Sequence, residues 1–218
     1  MQGKRHRVFV GALLALSVGG GWRAHVQNVV DRIVARVEEE IILQSDVERL
    51  ARYQVLVDGK AESDAAILDR LIDQWIVRKE AEASRFPAAS DSDVERGMLR
   101  LARSFAKPED FVAQRGRAGL SEADVKQIVT VQAYLSNYLD SRFRPTVQVD
   151  EKAIKDFYEQ AVIPRAKARG QEAPSFETAR DVIQEALIQQ GINEQADKWL
   201  KESRDRLSIT KLLNEGGR

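Results

Sequence analysis

At 218 residues, with 31% charged and only 6% aromatic side chains, the chain is long enough to bury a core and has the composition of helical surfaces rather than of a β-sandwich. Its 34 Lys and Arg balance 34 Asp and Glu, which argues against a nucleic-acid binder whose affinity rests on neutralising phosphates. With no cysteine, a disulfide framework and a lipid-anchored N-terminus are both excluded.

The chain opens with Lys4, Arg5, His6 and Arg7, an apolar run from Val8 to Val18, and Gly19-Gly20-Gly21. That run is shorter than the roughly 20 helical residues a bilayer requires but suits the apolar centre of a secretory signal. Residues 1–24 are therefore expected to be a signal peptide for export to the periplasm. An uncleaved inner-membrane anchor is the alternative, because Trp22 stands where a small residue is usual before a cut. No acid precedes Asp31, so removing Lys4, Arg5, Arg7 and Arg23 leaves 30 basic against 34 acidic residues, a mildly acidic mature chain.

From Asp31 to Leu50 the sequence reads DRIVARVEEEIILQSDVERL. Ile33, Ala35 and Val37 alternate with Val34 and Arg36, Glu38–Glu40 interrupts, and Ile41-Ile42-Leu43 resumes: two short strands around an acidic turn. Ser45 with Glu48 makes a Ser-x-x-Glu capping box, from which a helix is expected to run to Val57 and stop at Asp58-Gly59, with Val47, Leu50, Gln54 and Val57 on one side. A lone hairpin is marginal in water, so it needs a third strand or a helical cover. Outside it, Leu207–Leu213 is the segment richest in β-formers, and the two ends of the domain are expected to meet in one small antiparallel sheet.

Ser63 caps a second helix to about Arg85, whose Ile67, Leu68, Leu71, Ile72, Trp75 and Ile76 sweep about half its circumference; it is predicted to lie centrally between others. Phe86-Pro87 breaks the chain. Ser90 to Ser92 offers caps for a third helix carrying Val94, Met98, Leu101 and Phe105, and Pro108 starts a fourth that Gly116 and Gly119 end. Ser121 caps the run Glu122–Phe143, with a core stripe of Val125, Ile128, Val129, Gln132, Leu135, Leu139 and Phe143. Val131, Tyr134 and Tyr138 stand together on roughly the opposite face. A second neighbouring helix over Tyr134 is the plainer account of that face, and a binding surface the sharper one. Asp150 caps a short helix with Ile154, Phe157 and Tyr158; Pro164–Pro174 reads as an exposed loop; and Ser175 begins a last helix of about thirty residues, some 45 Å long, with Gly191 as a point of bending. Asn214–Arg218 reads as a frayed tail.

The hairpin with its Gln-Ser-Asp-Val-Glu helix start, Leu71-Ile72-Asp73-Gln74-Trp75-Ile76, Phe111-Val112-Ala113 before Gly119-Leu120-Ser121, and Phe143 before Val149-Asp150 together resemble the N-terminal domain of SurA-type periplasmic chaperones, over about residues 29–213. The resemblance implies a mainly α cradle with a small antiparallel sheet, and an ATP-independent holdase meeting unfolded outer-membrane and other envelope polypeptides. Two departures stand out. The parvulin-type isomerase domains that such proteins often carry would fall after Tyr158, where Glu159–Ala173 leaves too little chain, so the resemblance carries over no prolyl isomerase activity. Adjacent Glu38 and Glu39 also disfavour the positive φ of a two-residue hairpin, which points to a longer turn.

Histidine occurs only at positions 6 and 25, so the mature chain cannot assemble a Ser-His-Asp or Cys-His centre or the usual zinc ligand sets. No glycine-rich phosphate loop follows a strand. The chain is thus expected to be no enzyme and to need no cofactor or metal. It is expected to bind unfolded polypeptides through Val131, Tyr134 and Tyr138, with Met98, Leu101, Phe105 and Phe111 as further lining. The rival reading is a non-catalytic adaptor in an envelope complex that holds one folded partner.

Overall fold

The β-branched density at the start of the domain forms a hairpin, and the chain's last β-rich stretch joins it. A computed structural model of the protein describes residues 31–213; the expected leader and tail lie outside the described residues. Strands β1 (Ile33–Val37) and β2 (Glu40–Leu43) pair antiparallel, and β3 (Ile209–Lys211) pairs antiparallel with the other side of β1, giving the order β2-β1-β3. A register slip between Ile33 and Ala35 marks a bulge, which is why Val34 and Ala35 are buried in succession instead of alternating.

The turn is shorter than expected: Val37 pairs with Glu40, so Glu38 and Glu39 alone connect the strands, and Glu38 takes φ 50°. A reciprocal pair holds it there. The Glu38 N–H donates to the Ser208 carbonyl at 2.9 Å, and the Ser208 N–H donates to Glu38 Oε1 at 2.8 Å. The strained residue of the hairpin thus also fastens the entry to β3.

Helix α1 (Gln44–Asp58) follows β2 without a loop and ends at Gly59, φ 74°, as glycine at a left-handed cap permits. Its start differs from the expected capping box. Asp46 accepts from the Leu43 N–H at 3.2 Å, while Ser45 is taken by Asp31, whose carboxylate accepts from both its N–H and its hydroxyl. The buried face is also rotated from the expected one, comprising Val47, Leu50, Tyr53 and Leu56, with Val57 exposed.

Helix α2 (Asp64–Ala83), capped by Ser63, is central as expected: Ile67, Leu68, Ile72, Ile76 and Val77 are buried, and it contacts α1, β1, α5 and α8. Helix α3 (Asp91–Arg103) and helix α5 (Glu122–Phe143) begin with Ser-x-x-Asp capping boxes at Ser90 and Ser121, and α4 (Pro108–Arg117) begins on its proline. Helices α3 and α5 approach closely at Gly97, where a Cβ would lie 2.5 Å from Val129 Cγ1.

After a 3₁₀ turn at Arg144–Thr146, Asp150 caps α6 (Glu151–Phe157). The expected loop from Pro164 is in part helical: a π turn, Tyr158–Val162, leads into α7 (Ile163–Ala168). Pro164 has no N–H to give and its ring crowds the carbonyl four residues back, so the helix widens, and Ile163 N–H bonds Tyr158 O. Helix α8 (Phe176–Arg204) then runs past all the hydrophobic clusters, Trp199 and Leu200 near its end packing on the main core. Its first half packs Ala179 and Ile183 on Ile154, and its second half packs Ile192 and Ala196 on Phe143. Gly191 serves close approach, since a Cβ there would meet Val147 at 2.6 Å. At its end Arg204 donates to Asp73 at 2.7 Å and to the Asp69 carboxylate and carbonyl, while Lys211 of β3 reaches the same Asp69 at 2.6 Å. Burial raises the Asp69 carboxyl, but the hydrogen bonds from Lys211 and Arg204 outweigh it and hold the group below its usual range.

Candidate functional site

The expected site residues do not converge on one surface. Tyr138 is only 4% exposed, and Tyr134 is half-buried beside it. Phe86, just past the end of α2, covers both rings, with centroids 5.4 Å from Tyr138 and 6.0 Å from Tyr134. Val77, Ala81 and Leu135 complete that cluster, so this face of α5 packs on α2, as the plainer account of it held. Tyr138 Oη accepts from Arg142 at 2.8 Å, whose guanidinium lies 4.9 Å from the Trp199 ring centroid. Leu101 and Phe111 are buried, and Met98 and Phe105 half-buried, where α3 and α4 meet the main core; the Phe105 and Phe111 centroids are 5.3 Å apart.

Val131 stands apart from these. It is 38% exposed and, with Ile41 of β2 at 47%, borders an open cavity of about 270 Å³ between β2, α1, α2 and α5. Half-buried Leu71, Trp75 and Ile128 add apolar lining. The strand order leaves β2 at the sheet edge. Two further hollows, about 540 and 790 Å³, adjoin this one: Gln132 lines all three, Leu50 and Gln74 line the first and third, and Tyr53 and Val57 the second and third. The result is a groove that runs from the β2 edge along α1 and α5 to α3.

Its frame is fixed by polar contacts at both sides. Glu40, on the inner side of β2, accepts from Trp75 Nε1 at 2.9 Å, from Arg78 at 3.1 Å and from Lys79. The hydrogen bonds from Lys79 and then Trp75 hold the Glu40 carboxyl below its usual range. Tyr53 Oη donates to Gln132 Oε1 at 3.2 Å, and burial pushes that phenol up. Arg49 pairs with Asp46 at 3.2 Å. Charges at the first cavity, Arg49 with Asp46 and Arg78 with Glu40, are thus internally matched, and what it offers a ligand is apolar surface and carboxamides.

Sequence reasoning missed Ile41 and the glutamines. An exposed isoleucine on an edge strand was the available signal, but which helices would flank it was not written in any local pattern. Among the described residues no group of three His, Cys, Asp or Glu could hold a metal ion, and no helix is long and apolar enough to cross a membrane.

No family model matches the chain. It is 29% identical over 144 residues to the protein named Chaperone SurA of Pseudomonas aeruginosa, an alignment covering 62% of this chain and 34% of that protein. It is 26% identical over 152 residues to Chaperone SurA of Pseudomonas fluorescens, covering 66% of this chain and 35% of that one. The chain spans about a third of the length of the curated relatives it matches. Taken with the helical cradle and its three-stranded sheet of hairpin plus late strand, these similarities are consistent with a SurA-like N-terminal domain.

Proposed function

We propose that the protein is an ATP-independent holdase chaperone of the periplasm that binds unfolded outer-membrane and other envelope polypeptides reversibly. The observation that carries this reading is the open groove at the β2 edge, where Ile41 and Val131 expose apolar surface in a chain similar to SurA chaperones. Apolar surface left uncovered beside a sheet edge costs solubility and stability unless a partner uses it. Unfolded barrel strands, which alternate apolar with polar residues, suit such a surface. Of the seven side chains expected to meet clients, exposed Val131 and buried Leu101 line this groove, which supports the reading for those two, while Met98, Phe105, Phe111, Tyr134 and Tyr138 lie outside its lining. The link Tyr158–Ser175 between α6 and α8 is too short to house a parvulin-type domain at that point, which supports a non-catalytic role.

The test is light scattering of several unrelated unfolded barrel proteins diluted from denaturant, with and without the purified protein. A holdase slows aggregation of all of them near stoichiometric ratios. Suppression of none refutes the proposal, and stable co-purification with one folded partner in its place establishes the adaptor.

A further inference from the structure

We infer that the hollow between α1, α3 and α5 is a carboxylate site, taking the free C-terminus of a polypeptide whose last residue is apolar: the Arg100 guanidinium pairs with the terminal carboxylate while the last side chain rests on the apolar floor between α3 and α5. This goes beyond the holdase reading and does not depend on it, since such a chain end belongs to folded and unfolded proteins alike.

Three observations carry it. First, this hollow of about 540 Å³ has an unmatched positive charge. Its lining holds Arg96 and Arg100 against a single acid, Asp93, and that acid is committed: Arg96 pairs with it, and the Ser90 N–H and hydroxyl donate to it at 3.0 and 2.6 Å. Arg100 has no ion-pair or hydrogen-bond partner among the described residues. Second, Arg100 is folded back toward the seam of the two helices. Its Nη2 lies 4.0 Å from the point that a Cβ on Gly97 would occupy, and Gly97 is where α3 meets Val129 of α5. Third, the other free polar groups are donors. Gln132 and Ser136, one turn apart on α5, line the same hollow. The Tyr53 hydroxyl occupies Gln132 Oε1 at 3.2 Å, which leaves the Gln132 amide N–H groups to donate, and the Ser136 hydroxyl has no partner among the described residues. A guanidinium fork with an amide donor and a hydroxyl suits the acceptor-only oxygens of a carboxylate, and an ammonium group finds no acceptor there to match it. Buried Leu101 and Val129 form the floor beside these donors. A terminal carboxylate is adjacent to its own side chain, so one residue meets both donors and floor; a mid-chain aspartate or glutamate has to run polar backbone across that floor in both directions.

The probe is a six-residue uncharged peptide ending in leucine, with an uncharged fluorophore on its N-terminus, compared with the same peptide as its C-terminal amide and with an amide in which glutamate precedes the leucine. Binding to the full protein is read by fluorescence anisotropy at low salt. We expect the free acid to bind about tenfold more tightly than either amide, as a charge-assisted hydrogen-bonded pair at a partly exposed site supplies. Arg100→Gln should bring the acid down to the amide and leave the amide unchanged, with the urea midpoint of the parent, since Arg100 makes no bond within the described fold. Arg103→Gln removes a neighbouring exposed cation of α3 that does not line the hollow, and should keep the tenfold preference. Equal binding of acid and amide, or binding of neither, overturns the inference. So does a preference that survives Arg100→Gln, or one that Arg103→Gln abolishes as fully. A glutamate-containing amide that binds like the acid overturns the assignment to a chain end. Suppression of barrel-protein aggregation is scored separately, so either this site or the holdase reading can fail alone.

Discussion

Replacing Ile41 and Val131 together with serine tests whether the groove at β2 is where apolar ligand is held. Both side chains are already partly in solvent, 47% and 38% exposed, so the substitution removes contact surface from the groove with little change to the core. Full burial of a Val or Ile side chain contributes about 1.5–3 kcal/mol. Scaled by those exposed fractions, a ligand that covers both gains about 0.7–1.4 kcal/mol at Ile41 and about 0.6–1.1 kcal/mol at Val131, close to 2 kcal/mol together. That corresponds to about thirtyfold in affinity. The assay is a titration of an unfolded barrel fragment against parent and Ile41→Ser/Val131→Ser, with aggregation half-time as a second readout and urea unfolding as the control for stability. We expect the affinity to fall by about that factor while the urea midpoint moves little. A variant that unfolds like the parent and still binds within twofold of it would refute the assignment of the groove.

Gly97→Ala should destabilise the protein by about 1–3 kcal/mol in urea, because its methyl would lie 2.5 Å from buried Val129 and the α3–α5 pair has no room to part. Glu38→Ala should lower stability by about 1 kcal/mol through loss of the bond to Ser208, whereas Glu38→Gly should come out near the parent, since relief of the positive φ offsets the same loss. Acid should weaken the fold in a defined window. Hydrogen bonds from Arg70 push Glu62, and from Arg144 push Glu185, down to about 2 from an ordinary 4.5. Since folding lowers these values, their contribution is present above pH 4.5 and fades as pH falls toward 2; Glu62→Gln/Glu185→Gln should flatten the melting-temperature profile across that range.

Much of the fold was legible because local rules and tertiary needs agree in it. Ser63, Ser90, Ser121, Asp150 and Ser175 each sit one residue before an apolar-periodic run, and each caps the helix expected of it. The sheet could be read because β-branched residues at the two ends of the domain fall in short runs outside any helical stripe, unlike Val125, Ile128 and Val129 of α5. Ser45 failed as a cap because Asp31, fourteen residues upstream, captures its hydroxyl, a competition that no window around the serine reveals. The start of α7 was lost to Pro164, which stops a regular α-helix but not one that first opens by a π turn. In α1 the buried face is Tyr53 and Leu56 rather than Gln54 and Val57, because the packing of α1 on α2 and β2 decides the facing and periodicity alone does not. The groove was the least readable part. Its residues come from a strand and four helices, and Gln74 and Gln127 look like ordinary surface until those elements are assembled. The aromatic stripe of α5 was visible, but the ring that covers it, Phe86, belongs to a stretch read only as a break.

The clasp between Glu38 and Ser208 joins residues 170 positions apart in the chain. During biosynthesis the hairpin therefore emerges long before its third strand exists, and β1 must wait with one side bare while every helix is made. Closing so long a loop is entropically costly and slow, so completion of the sheet is a late event in folding. Until it occurs, the nascent chain presents the same kind of uncovered strand edge that its mature groove is proposed to attend to in others.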